Sequence, residues 1–224
     1  MWELFVENFL NWETVVQFTP LILKGFWVTV QLVFVVIPLG MLVGMLVAVL
    51  YNFHVRWLNL LLIFYVDFIR SFPPLVLLIL IYFGLPFLGI KLNDFSAVVL
   101  ALVLNASGYY GEIFRAGIES IDKGQTEAAR STGLNAIQTM IYVVIPQAVR
   151  NVIPPLTTNT LEVIKATAVA SVVALPELLR TAQLAQGFVY NPTPLVMAAA
   201  IYLVCLWPLV RLVSRFEKQL LAPH

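Results

Sequence analysis

The sequence predicts an all-α polytopic membrane protein with five transmembrane helices and one longer loop that carries a short helix. Of its 224 residues, 61% are hydrophobic and 11% are charged, whereas soluble domains carry about 25% charged residues. A chain of this size has too little interior to bury so much apolar surface, so part of that surface must face lipid. Long stretches without charge, such as residues 25–53 and 71–90, are typical of membrane spans.

Five spans are predicted from these apolar stretches, since a helix needs roughly 20 residues to cross a hydrocarbon core of about 30 Å. The fourth contains two charged residues, Glu162 and Lys165, and Pro73-Pro74 is expected to break the second. No soluble domain is inserted, so residues 1–224 are expected to form a single transmembrane domain. The predicted spans are residues 21–51, 58–85, 94–118, 145–173 and 194–216.

The basic residues predict the orientation, because cytoplasmic loops carry the excess of Lys and Arg. One set of loops holds Arg56, Arg115, Lys123, Arg130, Arg150, Arg211, Arg215 and Lys218. The opposite set holds only Lys24, Lys91 and Arg180. The N-terminus is therefore expected outside and the C-terminus in the cytoplasm.

Several function classes are disfavoured by composition and by missing motifs. The formal charge of +1 gives no basic surface for nucleic acid. Cys205, His54 and His224 are too few for an internal disulfide or a multi-histidine metal centre. The sequence has no phosphate-binding Gly-x-x-x-x-Gly-Lys-Ser/Thr loop, no His-Glu-x-x-His helix and no Gly-x-Ser-x-Gly elbow. An ATPase or a membrane enzyme is therefore not expected, while a passive channel stays open as an alternative.

The segment at about residues 124–144 is the least membrane-like part of the chain. It begins Gly-Gln-Thr-Glu-Ala-Ala-Arg-Ser-Thr-Gly, which predicts a short helix capped by Thr126 and a break at Gly133 with positive φ. Ala128 and Ala129 favour a helix and leave a surface that another chain can approach closely. By periodicity alone, an ordinary interfacial loop helix is the favoured interpretation of this segment.

The order of these residues resembles a known signature. Glu127, Ala128, Ala129 and Gly133, followed after nine residues by Val-x-Ile-Pro at residues 143–146, resemble the Glu-Ala-Ala motif of ATP-binding-cassette (ABC) importer permeases. The resemblance implies the transmembrane domain of a type I ABC importer, in which those four residues couple the chain to a cytoplasmic ATPase. A rigid helix seated in a groove transmits the movement of one subunit to another.

Four further runs resemble the polar amino-acid branch of that family, whose members are of the histidine, glutamine, arginine and opine type. They lie at residues 24–30, 65–73, 110–117 and 165–172. Two departures, Ser71-Phe72 for Gly-Thr and Ala166 for an acidic residue, lie near the expected pathway. The resemblance implies import of a polar amino acid or derivative by alternating access across a bacterial inner membrane.

The same resemblance implies the partners and cofactors of the chain. Two cytoplasmic ABC ATPase subunits, a second permease chain (identical or different) and an external substrate-binding protein are expected. The chain itself is expected to hold no cofactor and no metal, since ATP and Mg²⁺ bind to the partner ATPase.

Charged residues within predicted spans are functional candidates, because an ionisable group inside a membrane is costly. Asp67 and Arg70 lie three residues apart and share a helix face, and Glu162 and Lys165 repeat that spacing. A zwitterionic amino acid needs a cation for its carboxylate and an anion for its ammonium group. The predicted substrate-binding residues are therefore Arg70, Glu162, Lys165 and Asp67, with Glu162 as the favoured specificity residue. The alternative is that each pair neutralises itself within its helix.

Other polar residues of the spans have less specific expectations. Glu112 and Arg115 are expected to form a structural pair near the cytoplasmic side. Side chains with hydroxyl or amide groups either bind a ligand or pack helices, and packing is favoured for most of them. These are Asn105, Ser107, Tyr109, Asn159 and Thr160.

Overall fold

The computed structural model describes residues 8–52 and 55–220, with side chains through residue 215. His54 and His224, considered above as metal ligands, lie outside the described residues, as does the side chain of Lys218. The α-helices are α1 Trp12–Tyr51, α2 Arg56–Ser71, α3 Pro74–Gly84, α4 Asp94–Glu119, α5 Lys123–Ser131, α6 Ala136–Thr139, α7 Ile145–Ala166, α8 Leu178–Val189 and α9 Thr193–Leu220.

The predicted spans correspond to helices in the structure. Within the described residues, four helical stretches are long and apolar enough to cross a membrane, and a bent pair makes a fifth span if it is counted as one. The first span, α1, is longer than predicted, because Asn11 caps it by accepting from the backbone N–H of Thr14 at 2.9 Å. The short helix α8, with Glu177 at its N-terminus, was not predicted.

The second predicted span is broken, as the Pro73-Pro74 pair indicated. Helix α2 and the segment 74–88 meet at 100°, and Pro74 begins α3. Proline has no N–H to continue a helix and restricts the residue before it. The freed carbonyl of Phe72 accepts a hydrogen bond from Asn105 Nδ2 at 3.4 Å, so α4 satisfies a group that the break exposes.

The fourth span begins earlier than predicted and contains two irregular turns. The stretch 140–144 is a π-helical turn in which the N–H of Ile145 donates to the carbonyl of Met140. It directly precedes Pro146, which cannot donate to the carbonyl four residues back. At the other end, residues 167–173 form a 3-10 helix that ends at Ala174 with φ of 59°. The span therefore runs continuously from Ala136 to Val173.

The helix before this span has a different cap from the predicted one. Helix α5 begins at Lys123, and the carboxylate of Asp122 accepts from the N–H of Gly124 at 2.6 Å. Thr126 therefore lies inside the helix and the predicted cap is wrong, because an earlier Asp is at least as good a capping residue. The predicted positive φ at Gly133 is confirmed, at 92°.

Helix α4 is the centre of the structure, and it packs most extensively on α1. The core includes Leu32 and Val36 of α1 with Leu102 and Tyr110 of α4, all of them buried. Close approach of α1 and α4 depends on Gly44, where a Cβ would lie 2.7 Å from the backbone nitrogen of Gly111. A backbone atom cannot move aside as a flexible side chain does.

We expect Gly44→Ala to force α1 and α4 apart and to destabilise the protein by about 1–3 kcal/mol, the usual cost of overpacking. Thermal unfolding of the purified protein in detergent measures the effect. The matched control is Gly187→Ala in α8, where a Cβ meets nothing within 4 Å. That change should be neutral or stabilising, by up to about 1 kcal/mol, because Ala favours a helix over Gly. Equal melting temperatures for the two variants would contradict the role of Gly44.

Candidate functional site

Among the cavities that α4 lines in the described part of the chain, two contain all four predicted substrate-binding residues. The first, which we call the Glu162 cavity, has a volume of about 480 Å³ and lies between α3, α4 and α7. Its wall is formed by Pro74, Leu102, Asn105, Tyr109, Asn159, Glu162, Val163, Lys165, Ala166 and Val169. Five of these ten residues are polar or charged and five are apolar, so the wall combines apolar surface with polar groups that can orient a small molecule.

The two charged residues of the Glu162 cavity form an ion pair within their own helix. Lys165 Nζ donates to Glu162 Oε1 at 2.6 Å, so the alternative of an intrahelical pair describes its present geometry. The side chains are nevertheless 62% (Glu162) and 50% (Lys165) exposed. Ions in a membrane-spanning segment do not face lipid at that exposure, because lipid cannot solvate them.

Neutral polar groups complete this cavity. Asn105 and Tyr109 of α4 face Asn159 of α7 across it. Among the described residues, Asn159 Nδ2 is buried and has no hydrogen-bond partner, although such a group normally has one. Asn159 also lies close enough to the hydroxyl of Tyr110 to interact with it, so ligand binding and helix packing both stay open for its side chain. Ala166, which departs from the family pattern, also lines the cavity.

The second cavity, which we call the Asp67 cavity, has a volume of about 230 Å³ and lies between α1, α2 and α4. Its charged residues are Asp67 and Arg70 of α2 and Glu112 and Arg115 of α4. The predicted pair of Glu112 and Arg115 is present and bidentate, with distances of 2.6 and 3.1 Å. Arg115 also donates to Glu119 at 2.6 Å.

Asp67 and Arg70 do not form the alternative intrahelical pair. Within the described residues, the salt bridge of Arg70 is to Glu112, with Nη1 and Oε2 4.0 Å apart, and Asp67 forms none. The guanidinium of Arg70 lies 5.3 Å from the centroid of the Tyr109 ring. The structure thus separates the four predicted residues into two cavities and places Arg70 beside Tyr109, which lines the other cavity.

Two of the polar candidates pack helices, as expected for most of them. The hydroxyls of Ser107 and Tyr65 lie 2.7 Å apart and join α4 to α2. Thr160 of α7 lies 2.9 Å from the hydroxyl of Tyr110. Asn105, Tyr109 and Asn159 line a cavity, although Asn105 also joins α4 to the carbonyl of Phe72. The sequence did not separate these roles, because spacing does not reveal which face a neighbouring helix covers.

The predicted coupling residues lie on or beside α5. Glu127, Ala128 and Gly133 are exposed, whereas Ala129 is 8% exposed and packs within its own chain. The exposed side of α5 therefore carries only a small side chain at Ala128, so the surface of another protein can approach the helix closely there.

Sequence reasoning missed one buried acid. Glu177 has no exposed surface, and its carboxylate accepts from the N–H groups of Leu179 and Arg180 at 2.9 and 2.7 Å. Thr29 of α1 accepts from the N–H of Leu178 at 3.1 Å, so this helix end is fastened to α1. The signal was an acidic residue directly before the run 178–189, which is typical of a helix N-terminus.

Comparison with known proteins gives consistent matches along the chain. A family model described as a binding-protein-dependent transport system inner membrane component matches residues 15–221. A probable glutamine ABC transporter permease protein, GlnP of Bacillus subtilis (strain 168), is 40% identical over 163 residues, which are 73% of this chain and 75% of that protein. A probable amino-acid ABC transporter permease, YckA of the same organism, is 32% identical over 212 residues, covering 94% and 92%.

A solved structure is similar along nearly the whole chain. It is a crystal structure of an amino acid ABC transporter with histidines, and it superposes with a TM-score of 0.87 at 37% identity. The match covers 93% of this chain and 98% of the other.

Proposed function

Because the chain belongs to the family of binding-protein-dependent transport system inner membrane components, we propose that it is the translocation subunit of an ABC importer for a polar amino acid. The observation that carries the proposal is the Glu162 cavity, a polar recess in an apolar helical bundle. Its ion pair and the amides of Asn105 and Asn159 that line it match the charged and hydrogen-bonding groups of an amino acid.

The proposed ligand contacts are Glu162, Lys165, Arg70 and Asp67. Glu162 suits an ammonium or other cationic group, and a guanidinium such as Arg70 binds both oxygens of a carboxylate. The relatives support the substrate class, since one is named for glutamine and another for amino acids in general. Ala166 stands where the family pattern has an acidic residue, so the acidic side chain of this cavity is that of Glu162.

The exposure of Glu162 and Lys165 supports a second permease chain. Their half-exposed charges require water or protein on the open side of the cavity, because lipid does not solvate ions. A second chain, identical or related, would cover that opening.

The remaining partners follow from the proposed coupling segment. Two ATPase subunits, which bind ATP and Mg²⁺, would each receive α5 with its exposed Glu127, Ala128 and Gly133. In this proposal α5 and the C-terminus lie in the cytoplasm and the N-terminus lies outside, where a substrate-binding protein would deliver the amino acid. Approach of the ATPases moves the α5 helices together and opens the cavities outward, and ATP hydrolysis returns them to the cytoplasmic side.

Reconstitution tests this function against the alternative of a passive channel. The chain is placed in liposomes with its ATPase and binding protein, and uptake of radiolabelled glutamine is measured with ATP inside. We expect uptake against a concentration gradient that stops when ATP is replaced by a non-hydrolysable analogue. Uptake that runs only down the gradient and without ATP would instead establish a channel.

A further inference from the structure

The Asp67 cavity has the space and position of a ligand site of its own. Its volume of about 230 Å³ is many times the roughly 10–15 Å³ that a single water requires. Its acidic and basic residues come from two different helices, α2 and α4. It lies toward the end of α4 that leads into α5, whereas the Glu162 cavity lies toward the Asp94 end.

The charged side chains of this cavity differ in how closely they are paired with one another. Arg115 donates three hydrogen bonds to Glu112 and Glu119 and lies 5.4 Å from the ring of Tyr51, so its charge is neutralised within α4. Arg70 is held by Glu112 at 4.0 Å, which is longer than a hydrogen bond. Asp67 has no salt bridge among the described residues, and the neighbouring hydroxyl of Ser71 donates to its backbone carbonyl rather than to its carboxylate.

An available anion and a loosely held cation therefore share one face of α2. Side chains three residues apart on a helix are about 5–6 Å apart at Cβ, and the ammonium and carboxylate of an α-amino acid are bonded to the same carbon. One ligand can therefore contact both side chains. The pair in the Glu162 cavity is less available, because Lys165 and Glu162 are hydrogen-bonded to each other at 2.6 Å.

The two cavities adjoin at Arg70 and Tyr109. The ring of Tyr109 lines the Glu162 cavity, and the Arg70 guanidinium that lies against it lines the Asp67 cavity. Asn105, Tyr109 and Glu112 follow one another along one face of α4, and seven residues of helix span about 10 Å. The cavities are thus successive along α4, with Arg70 and Tyr109 between them, and each has its own acidic and basic side chains.

We propose that Asp67 and Arg70 form a second amino-acid binding station, distinct from the Glu162 cavity and adjoining it on the side of the coupling segment. Arg70 gives up its contact with Glu112 and binds the ligand carboxylate, while Asp67 binds the ammonium group. This inference rests on the proposed function and adds to it a second site on the same path.

The test counts ligands bound to the intact complex. The permease with its ATPase is placed in lipid nanodiscs without the binding protein, and radiolabelled glutamine is measured by equilibrium dialysis. We expect two glutamines per permease chain for the wild type. Asp67→Asn with Arg70→Gln should remove one of them, and Glu162→Gln with Lys165→Gln should remove the other.

Ligand analogues separate direct contact from a structural effect. In the Glu162→Gln, Lys165→Gln background, Arg70→Gln should weaken glutamine about tenfold, the value of one charge-assisted hydrogen bond. The same change should alter the affinity for the decarboxylated analogue by no more than about twofold. Asp67→Asn should likewise weaken glutamine binding and alter the affinity for the deaminated analogue by no more than about twofold. Ser71→Ala is the matched control on the same helix and should change none of these affinities.

Two results would overturn the inference while leaving the proposed function intact. One is a single glutamine per wild-type chain that persists in the Asp67→Asn, Arg70→Gln variant. The other is a loss of affinity in the single variants that is equal for glutamine and both analogues. If the wild-type complex binds no amino acid at all, the proposed function itself is overturned.

Discussion

Replacing Ala128 with tryptophan is expected to abolish the stimulation of ATP hydrolysis by substrate-loaded binding protein, while the permease stays folded. Ala128 is exposed on α5, so a large ring there adds bulk to the proposed ATPase-docking side and leaves the chain's own packing intact. The helix-propensity cost is below about 1 kcal/mol. ATP hydrolysis by the complex in liposomes, with and without loaded binding protein, measures the effect, and we expect stimulation to fall at least about tenfold.

Ala129 supplies the matched variant, because it is chemically identical and adjacent. It is 8% exposed and packs within the chain, so Ala129→Trp should lower the melting temperature of the isolated permease, at an overpacking cost of about 1–3 kcal/mol. Ala128→Trp should leave that temperature unchanged. Undiminished stimulation in the Ala128→Trp variant would remove this side of α5 from the ATPase contact.

Glu162→Gln is expected to have the second largest effect, on ligand affinity rather than on coupling. The change removes the 2.6 Å ion pair and leaves Lys165 as an uncompensated cation in the cavity. Arginine, whose side chain carries a cation, should bind about tenfold or more weakly, since hydrogen bonds to charged groups contribute about 1.5–3 kcal/mol. Glutamine, with a neutral side chain, should lose less. Concentration dependence of uptake for the two amino acids makes the comparison.

Two controls accompany this prediction. Glu162→Asp keeps the charge and should preserve the order of preference between arginine and glutamine. Glu13→Gln removes an exposed acid in the first turn of α1, far along the chain from both cavities, and should change neither affinity. Equal losses for arginine and glutamine in the Glu162→Gln variant would show that Glu162 supports the structure and does not select the ligand.

Much of the fold was predictable because membrane insertion depends on local composition. Residues 94–118 were predicted as a span and α4 runs from Asp94 to Glu119, since an apolar stretch of that length has few alternatives in lipid. The break at Pro73-Pro74 was predictable from the missing proline N–H. The contact between Glu162 and Lys165 was weighed as an alternative from their spacing alone. Each of these features depends on residues close together in the sequence.

The features that were not predictable depend on which helices become neighbours. Nothing in the Glu-Ala-Ala run distinguishes Ala128 from Ala129, because only packing on the chain's own helices buries one of them. The partner of Arg70 is Glu112, on another helix, and not Asp67 three residues away. Helix α8 escaped prediction because it is short and because its N-terminal end is fixed by packing against α1, where Thr29 accepts from the N–H of Leu178.

The sequence by itself determined the class of the protein and the positions of most of its spans, because hydrophobicity and backbone preference act over short distances along the chain. The coupling segment was expected from its resemblance to the Glu-Ala-Ala motif. The tertiary structure decided how the charged residues of the spans are paired. In one cavity Glu162 and Lys165 form an ion pair with each other. In the other cavity Asp67 has no salt bridge within the described residues. The physical reason is that the partner available to each charge depends on the packing of α2 and α7 against α4, which side-chain spacing within one helix does not specify.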